Sequence, residues 1–492
     1  METRVRYAPS PTGLQHIGGV RTALFNYFFA KSSGGKFILR VEDTDRTRYS
    51  DEALEDLYST LDWLGIKWDE GPIAGGPYGP YIQSERYDIY RKYAQQLVDS
   101  GMAYYCFCTP ERLEALRAEQ EASHSPEQGY DRHCRNLSKD EVQALLDQGL
   151  KPVIRLKVPE EGSTTFHDVI MGDITRENKD ISPDPILLKS DGFPTYHLAN
   201  VIDDHLMHIT HILRAQEWIP SGPLHVILYK AFGWEPPVYC HLPMVMGSDG
   251  HKLSKRHGST SVRDFRDKGY LPEAIINYVT LVGWSFDGEK QFFSKAELEK
   301  DFSIEKINKA PGVFDYKKLD WFNGQYIRAK SDSELAALLV PYLDKESLLD
   351  GMDEQAKLDR VTAIVPLVKE RLVVLSDVND MTRFVFRDPG MPDAKTLCAK
   401  GHTAAQEYQG LAKAYPILRS GLESWKPDSE IEQELCAIAP ELGIKVNGVF
   451  MPIRASVTGS QVSPPLFDSI RAVGYDESFR RIERALEVLK AC

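Results

Sequence analysis

Val5-Arg6-Tyr7-Ala8-Pro9-Ser10-Pro11-Thr12-Gly13-Leu14-Gln15-His16-Ile17-Gly18-Gly19 is the stretch on which the fold turns. Val5 to Tyr7 reads as a first strand, Pro9 and Pro11 forbid a helix, and Gly13 permits a tight turn. From Val20 a helix is predicted: Val20, Ala23, Leu24, Tyr27, Phe28 and Ala30 recur at helical spacing as one buried stripe, which Gly34 and Gly35 stop. Phe37 to Val41 reads as a second strand. Strand, glycine turn, helix, strand is the opening of a parallel α/β sheet. It aims the free amides near Gly18 and Gly19 at the sheet's mouth, where phosphate is held. His16 can donate to the same anion. Taken alone, the string is equally a capping turn with a surface histidine.

A second segment changes that balance. Lys252-Leu253-Ser254-Lys255-Arg256 lies beside Gly247, Gly250 and Gly258 in a stretch without apolar period, so a mobile loop is predicted. Lys252 and Lys255 can neutralise charge that develops as pyrophosphate leaves a nucleoside triphosphate. Read alone, the segment is a solvated basic loop. With the His16 string upstream, it forms half of a divided nucleotide site.

These strings, together with Val41-Glu42-Asp43-Thr44-Asp45-Arg46 and Tyr196-His197-Leu198-Ala199-Asn200-Val201-Ile202-Asp203-Asp204-His205, resemble bacterial glutamyl-tRNA synthetases of class I. The resemblance runs from the first strand to the last helix. Gly19 stands where many class I synthetases have histidine, and Leu253 is the second residue of the lysine motif; both are marks of the glutamate branch. The implied architecture is an α/β Rossmann-like catalytic domain with an inserted α+β acceptor-binding module, followed by an all-α anticodon-binding region.

Composition agrees with a large intracellular enzyme. A chain of 492 residues, 42% of them apolar, suggests about three domains or more. Met1-Glu2-Thr3-Arg4 begins no apolar leader, and no window approaches about 18 uninterrupted apolar residues, so a cytoplasmic location is expected. Seven thinly spread cysteines point to reduced thiols. The net charge of −13 does not exclude an RNA partner, because phosphate contacts need only local cationic surface. Such clusters occur from Lys252 to Lys268 and again from Lys306 to Lys330.

The predicted organisation has a first catalytic half over residues 1–88, an inserted acceptor-end module over 89–195, and a second catalytic half over 196–246. A lysine-motif and stem-contact region covers 247–330, and a helical anticodon-binding region covers 331–492. Before Lys330, helices are predicted at Asp51 to Leu64, Arg86 to Ser100 and Leu224 to Phe232. Beyond Lys330 they recur at Leu335 to Leu343, Arg360 to Leu375, Ala404 to Tyr415, Ile431 to Ile438 and Phe479 to Leu489, with no alternating strands. That absence separates the chain from glutaminyl enzymes, which carry β-barrels there.

By resemblance, Arg6, Ser10, Glu42, Tyr196, Asn200 and Arg214 contact glutamate, with Arg214 on the γ-carboxylate, Arg6 helping and Glu42 on the α-ammonium. Read alone, Arg6 pairs with an acid and Tyr196 is a core aromatic. Gly18, Gly19, Glu217, Trp218 and Lys255 are implied ATP contacts, and His16, Lys252 and Lys255 the catalytic groups, with Mg²⁺ accompanying ATP. The implied reaction makes glutamyl-adenylate, then transfers glutamate to the terminal adenosine of the tRNA for glutamate. Family membership further implies that activation waits for tRNA, and that the enzyme is a monomer.

Cys106, Cys108, Tyr130 and Cys134 form a separate constellation, read either as a structural zinc site or as reduced thiols in a small core, with His133 as a substitute for Tyr130. Three rivals to the functional reading are defined. A short relative that glutamylates a tRNA base lacks the region beyond Lys330. A duplicated synthetase would charge the tRNA for glutamine or another tRNA. A retired RNA-binding paralogue predicts damage at His16, Lys252 or Lys255, and all are present. Arg371 is the candidate anticodon reader.

Overall fold

The computed structural model describes every residue except Met1, Arg46, Pro126 and Glu127, and of Lys255 the backbone alone. Arg46, the last residue of the acidic motif quoted above, and the side chain of Lys255 therefore lie outside the described residues. The chain forms two compact units, one of residues 1–267 and 272–316, the other of 268–271 and 317–492.

The first unit begins as the proline and glycine pattern predicts. Strand β1 (Arg4–Tyr7) pairs in parallel with β2 (Lys36–Leu39), the partners running from Arg4 opposite Lys36 to Tyr7 opposite Leu39, and helix α1 (Ile17–Ser32) connects them. Burial on α1 extends beyond the predicted stripe to Arg21, Phe25 and Asn26. The ring of Phe25 lies 5.2 Å from that of Phe302, so packing closes over what periodicity read as an outer face. Helix α2 (Asp51–Trp63) is capped by Ser50, whose side chain accepts from Ala53 N, and α3 (Tyr87–Asp99) follows.

The intervening region has a three-stranded antiparallel sheet of β3 (Ala103–Cys106), β4 (Val153–Leu156) and β7 (Ile186–Leu188), in the order β3-β4-β7, with helices α4 (Pro110–Ala122) and α5 (Lys139–Asp147) inserted. Between β4 and β7 runs a hairpin of β5 (Ser163–Asp168) and β6 (Gly172–Glu177). This hairpin does not stay with the inserted sheet. After α6 (Tyr196–Leu206) comes β8 (His211–Ala215), then α7 (Gly222–Phe232) and β9 (Val238–Leu242); β8 and β9 pair in parallel, and Asp168 of β5 pairs in parallel with Tyr239 of β9. The sheet order is β6-β5-β9-β8. Thr210 N donates to Arg4 O at 2.9 Å, joining the start of β8 to that of β1.

Strand β10 (Val245–Met246) pairs with β11 (Gly312–Val313), flanking α8 (Val262–Lys268), α9 (Pro272–Leu281) and α10 (Lys295–Asp301). Helix α11 (Tyr316–Ala329) leads into the second unit.

Beyond Lys330 the described residues contain helices and no strand: α12 (Asp332–Lys345), α13 (Glu354–Val368), α14 (Asp377–Phe386), α15 (Ala394–Leu397), α16 (Ala404–Glu423), α17 (Asp428–Leu442), α18 (Asn447–Thr458), α19 (Leu466–Val473) and α20 (Tyr475–Ala491). Leu411, Leu418, Ile431, Leu435, Ile453 and Ile482 share its fully buried core. Arg481 crosses that core by donating to the carbonyls of Phe384 at 2.9 Å and Val457 at 2.7 Å, satisfying acceptors that burial would otherwise leave costly. No described helix is long and apolar enough to cross a membrane.

Candidate active site

A cleft of about 1110 Å³ opens where β1, β8 and β10 approach the start of α1. His16 is the N-cap residue of α1, and its Nδ1 accepts from Gly19 N at 3.2 Å. An imidazole that accepts at Nδ1 and is neutral carries its proton at Nε2, the nitrogen left to donate to a ligand. Burial, and then the ammonium of Lys252, lower the basicity of His16, while Glu217 opposes them. The neutral tautomer is thereby favoured. Gly19 has a steric reason to be glycine: a Cβ there would stand 3.0 Å from the Tyr7 hydroxyl and 3.8 Å from the His16 ring. Any larger residue here would have to push the Tyr7 hydroxyl aside by a few tenths of an ångström.

The lysine segment is more organised than its composition predicts. Leu253 N donates to Val245 O at 2.9 Å and Gly247 N to His251 O at 2.8 Å, so the segment doubles back along β10. His257 lies 2.9 Å from Asp249 through Nε2, and its ring occupies the space a Cβ on Gly247 would need, at 2.6 Å. Its far end is tied to the His16 string, Ile17 N donating to Thr260 O and Val262 N to Gln15 O. Lys252 Nζ reaches the carboxylate of Glu217 on the opposite lip.

The deep wall is built from charges. Arg6 donates through Nε and Nη2 to the two oxygens of Asp204 at 3.0 and 3.2 Å, and Arg40 adds a bond to Asp204 at 2.7 Å and one to Glu42 at 2.9 Å. Asp203 takes Arg86 Nε at 2.7 Å, the Tyr90 hydroxyl at 2.8 Å and Gln83 at 2.9 Å. Burial would raise the pKa of Asp204, but Arg6 and Arg40 hold it below the ordinary range. For Glu42 burial wins, and its pKa is raised despite Arg40 and Arg6.

Arg214 differs from these arginines. It projects from β8 and is 5% exposed, yet its partners are all neutral: His241 Nε2 at 3.0 Å, the Tyr196 hydroxyl at 3.1 Å and Trp218 O at 3.4 Å. Among the described residues no carboxylate forms an ion pair with it. A buried cation left without a counter-ion on a cleft wall is a receptor for an anion.

Of the residues singled out from the sequence, Arg6, His16, Gly18, Gly19, Arg214, Glu217, Trp218 and Lys252 line this one cleft. Tyr196 stands directly behind, its ring 4.3 Å from that of Trp218. Glu42 and Asn200 are buried outside the lining, and Ser10 is exposed in the turn after β1. Of Lys255, only the backbone is described, in the short helical turn Lys255–His257. Sequence reading passed over Arg21, which lines the cleft and clamps the carbonyls of Val282, at 3.1 Å, and of Pro243. Burial lowers its pKa to about 10. An arginine within an apolar helical run is the signal that marks it.

At the cysteine constellation, the sulfurs of Cys106, Cys108 and Cys134 all lie within 4.8 Å of one another. The Tyr130 hydroxyl is 3.2 Å from Cys106 Sγ and 3.7 Å from Cys108 Sγ, whereas His133 is exposed. The guanidinium of Arg155 lies 3.8 Å from the Tyr130 ring centroid, putting positive charge beside the thiols. Three thiols and a phenol converging at this spacing suit a tetrahedral zinc ion.

Known proteins resemble this chain over its whole length. The family model described as the catalytic domain of class I tRNA synthetases (E and Q) matches residues 2–321, and an anticodon binding domain matches 334–486. The glutamate–tRNA ligase of Borrelia recurrentis is 58% identical over 490 residues, spanning 100% of this chain and 96% of its own length. That of Treponema denticola is 55% identical over 507 residues, with 99% of each chain covered. The crystal structure of the glutamate–tRNA synthetase from Elizabethkingia anophelis is similar with a TM-score of 0.83 and 36% identity, covering 99% of this chain and 100% of that one.

Proposed function

The chain belongs to the class I tRNA synthetases for glutamate and glutamine, its activity is that of a glutamate–tRNA ligase, and from that premise we propose how its residues carry the reaction. Glutamate binds with its γ-carboxylate on Arg214. The lone buried guanidinium is the observation that carries this assignment. A carboxylate accepts from both of its Nη groups, whereas a carboxamide turns an NH₂ toward at least one donor, leaving buried hydrogen-bonding groups unmatched. Arg6, Ser10, Glu42, Tyr196 and Asn200 complete the amino-acid site in this reading. Arg6 acts from within its pair with Asp204, and Glu42 faces the α-ammonium.

ATP lies along the start of α1. The amide of Gly18 and the Nε2 proton of His16 hold phosphate oxygens, Gly19, whose own amide is held by His16 Nδ1, leaves room for the nucleotide beside them, and Trp218 and Glu217 flank the nucleoside. The α-carboxylate of glutamate attacks the α-phosphate in line, pyrophosphate leaves, and Lys252 and Lys255 neutralise the charge that develops. To reach it, Lys252 exchanges the carboxylate of Glu217 for phosphate oxygens. Class I synthetases use ATP with Mg²⁺, which supplies charge neutralisation at the phosphates. The adenosine hydroxyl of the bound tRNA then attacks the activated carbonyl.

The domain limits follow the same reading, with residues 89–195 holding the acceptor end, 247–330 the stem and 331–492 the anticodon of the tRNA for glutamate. Zinc held by Cys106, Cys108, Tyr130 and Cys134 would brace the acceptor module; bound zinc supplies cross-linking there and no chemistry in the reaction. A cytoplasmic monomer completes the proposal. The deciding experiment charges purified tRNAs for glutamate and for glutamine with each amino acid in turn. Glutamate on the tRNA for glutamate alone is expected, and the Arg214→Ala variant should lose glutamate affinity by about a hundredfold. An unchanged KM for glutamate in that variant refutes the assignment of Arg214.

A further inference from the structure

Arg214 is held from behind by two residues outside the cleft lining. Its Nε donates to His241 Nε2 at 3.0 Å, and His241 Nδ1 lies 2.7 Å from Asp168 Oδ2. Because a guanidinium only donates, Nε2 must accept; the imidazole then carries its proton at Nδ1 and donates it to Asp168. Asp168 is itself saturated. Its Oδ1 accepts from Ile170 N at 3.0 Å and Met171 N at 2.8 Å, and its Oδ2 also takes His241 N at 2.9 Å. Asp168 and His241 are both fully buried. Burial lowers the basicity of His241 against the pull of Asp168, in keeping with a neutral ring.

The three residues come from three strands that the sheet sets side by side. Arg214 of β8 stands opposite His241 of β9, and Asp168 ends β5, which meets β9 at Tyr239. We propose that Asp168 and His241 are positioning residues for glutamate recognition, fixing the guanidinium of Arg214 so that its Nη edge faces the cleft. The inference rests on the assignment of Arg214 to the γ-carboxylate. Physical reasons make the relay better than a direct pair. With Nε committed to His241, rotation of the guanidinium breaks a buried hydrogen bond, so the two Nη groups are preorganised as a fork. A carboxylate placed directly on Arg214, as Asp204 is on Arg6, would neutralise the cation and repel the substrate's own carboxylate. Interposing a neutral imidazole orients the guanidinium while leaving its charge for the ligand.

The test pairs two substitutions of His241 in the full-length enzyme, assayed with tRNA present. In His241→Gln the amide oxygen lies near the position of Nε2 and still accepts from Arg214. In His241→Asn the shorter side chain keeps Asp168 and falls short of Arg214. His241→Asn should raise the KM for glutamate about tenfold or more and erode the preference for glutamate over glutamine, with the KM for ATP and kcat near the parent values. His241→Gln should recover most of that loss. Equal behaviour of the two variants, or parallel rises in the KM for glutamate and ATP, would overturn the proposal. Arg214→Ala in the same assay separates the two ideas: a rise there without one in His241→Asn removes the relay alone, and no rise there removes the assignment of Arg214 itself. For the unaltered enzyme, ¹⁵N shifts of labelled histidine should show the Nδ1–H tautomer at His241. The Nε2–H tautomer would contradict the relay, whatever the variants' stability.

Discussion

The amide of Ile17 donates to the carbonyl of Thr260 at 3.0 Å, so the first turn of α1 and the end of the lysine segment are joined by backbone. Asp56 of α2 reinforces the junction, taking Gln15 N at 2.7 Å and Arg263 Nε at 3.0 Å. The His16 string and the lysine segment, the two halves of the proposed phosphate site, therefore share supports.

In the proposed mechanism Lys252 exchanges Glu217 for phosphate oxygens as pyrophosphate departs. Lys252→Ala should slow single-turnover formation of the adenylate on the order of a hundredfold, equivalent to about 3 kcal/mol, and leave the KM for glutamate near the parent value. Rapid-quench measurement with labelled ATP checks this; an unchanged rate removes Lys252 from the mechanism.

His16 caps α1 and is proposed to donate to phosphate, and the two functions separate by substitution. Asparagine caps helices well, so His16→Asn should keep the melting temperature while losing activation about tenfold or more. His16→Ala should lose both, with about 1 kcal/mol of stability gone. Thermal denaturation beside pyrophosphate exchange reads the two effects independently.

Asp204 binds two buried arginines, and its neutral isostere takes one carboxylate from each while Arg40 keeps its bond to Glu42. Asp204→Asn should destabilise the first unit by about 3–5 kcal/mol, because a buried carboxylate hydrogen-bonded to two buried guanidiniums loses its charge. Urea unfolding followed by tryptophan fluorescence measures it, and a loss under about 1 kcal/mol would show that the cluster tolerates a missing charge.

Acid should weaken the fold through His197, whose Nδ1 lies 3.0 Å from His225 Nε2. Burial, and then Arg214, push its pKa down to about 4. The unfolded imidazole binds a proton near pH 6.5, so between about 6.5 and about 4 the unfolded chain holds the extra proton and stability falls as pH drops. Up to about 3 kcal/mol is at stake. Melting curves across that window should show a smaller decline for His197→Asn than for the parent.

Metal analysis of the purified protein should find about one zinc per chain. Chelation, or Cys108→Ser, should lower the melting temperature of the region around the β3-β4-β7 sheet. Metal-free protein of full stability would return the cluster to reduced thiols.

Local signals in the chain reach different depths. The prolines and glycines after Tyr7 and the stripe from Val20 to Ala30 locate their elements because strand entry and helical burial are short-range. Helices α14, α15, α18 and α19 escape that reading. α18 carries Gly448 and Pro452 inside it, and α15 is a single turn, so neither displays an extended apolar period. The pairing of β5 with β9 is invisible for another reason: parallel pairing depends on residues far apart in the chain. The site divides likewise. His16 and Lys252 stand in strings with their own chemistry and Arg214 follows from resemblance, but nothing near His241 or Asp168 announces that they converge on it. The acid implied as one reading of Arg6 is Asp204, a partner that only the fold identifies.

The attachment of the β5–β6 hairpin to β9 bears on how the molecule breathes. Asp168 gathers the amides of Ile170, Met171 and His241, so a displacement of its carboxylate would unfasten all three together. Their exchange should therefore follow a single opening event. An amino acid seated on Arg214 would slow that event for a hairpin it never touches, making hydrogen exchange at the hairpin a remote gauge of substrate occupancy.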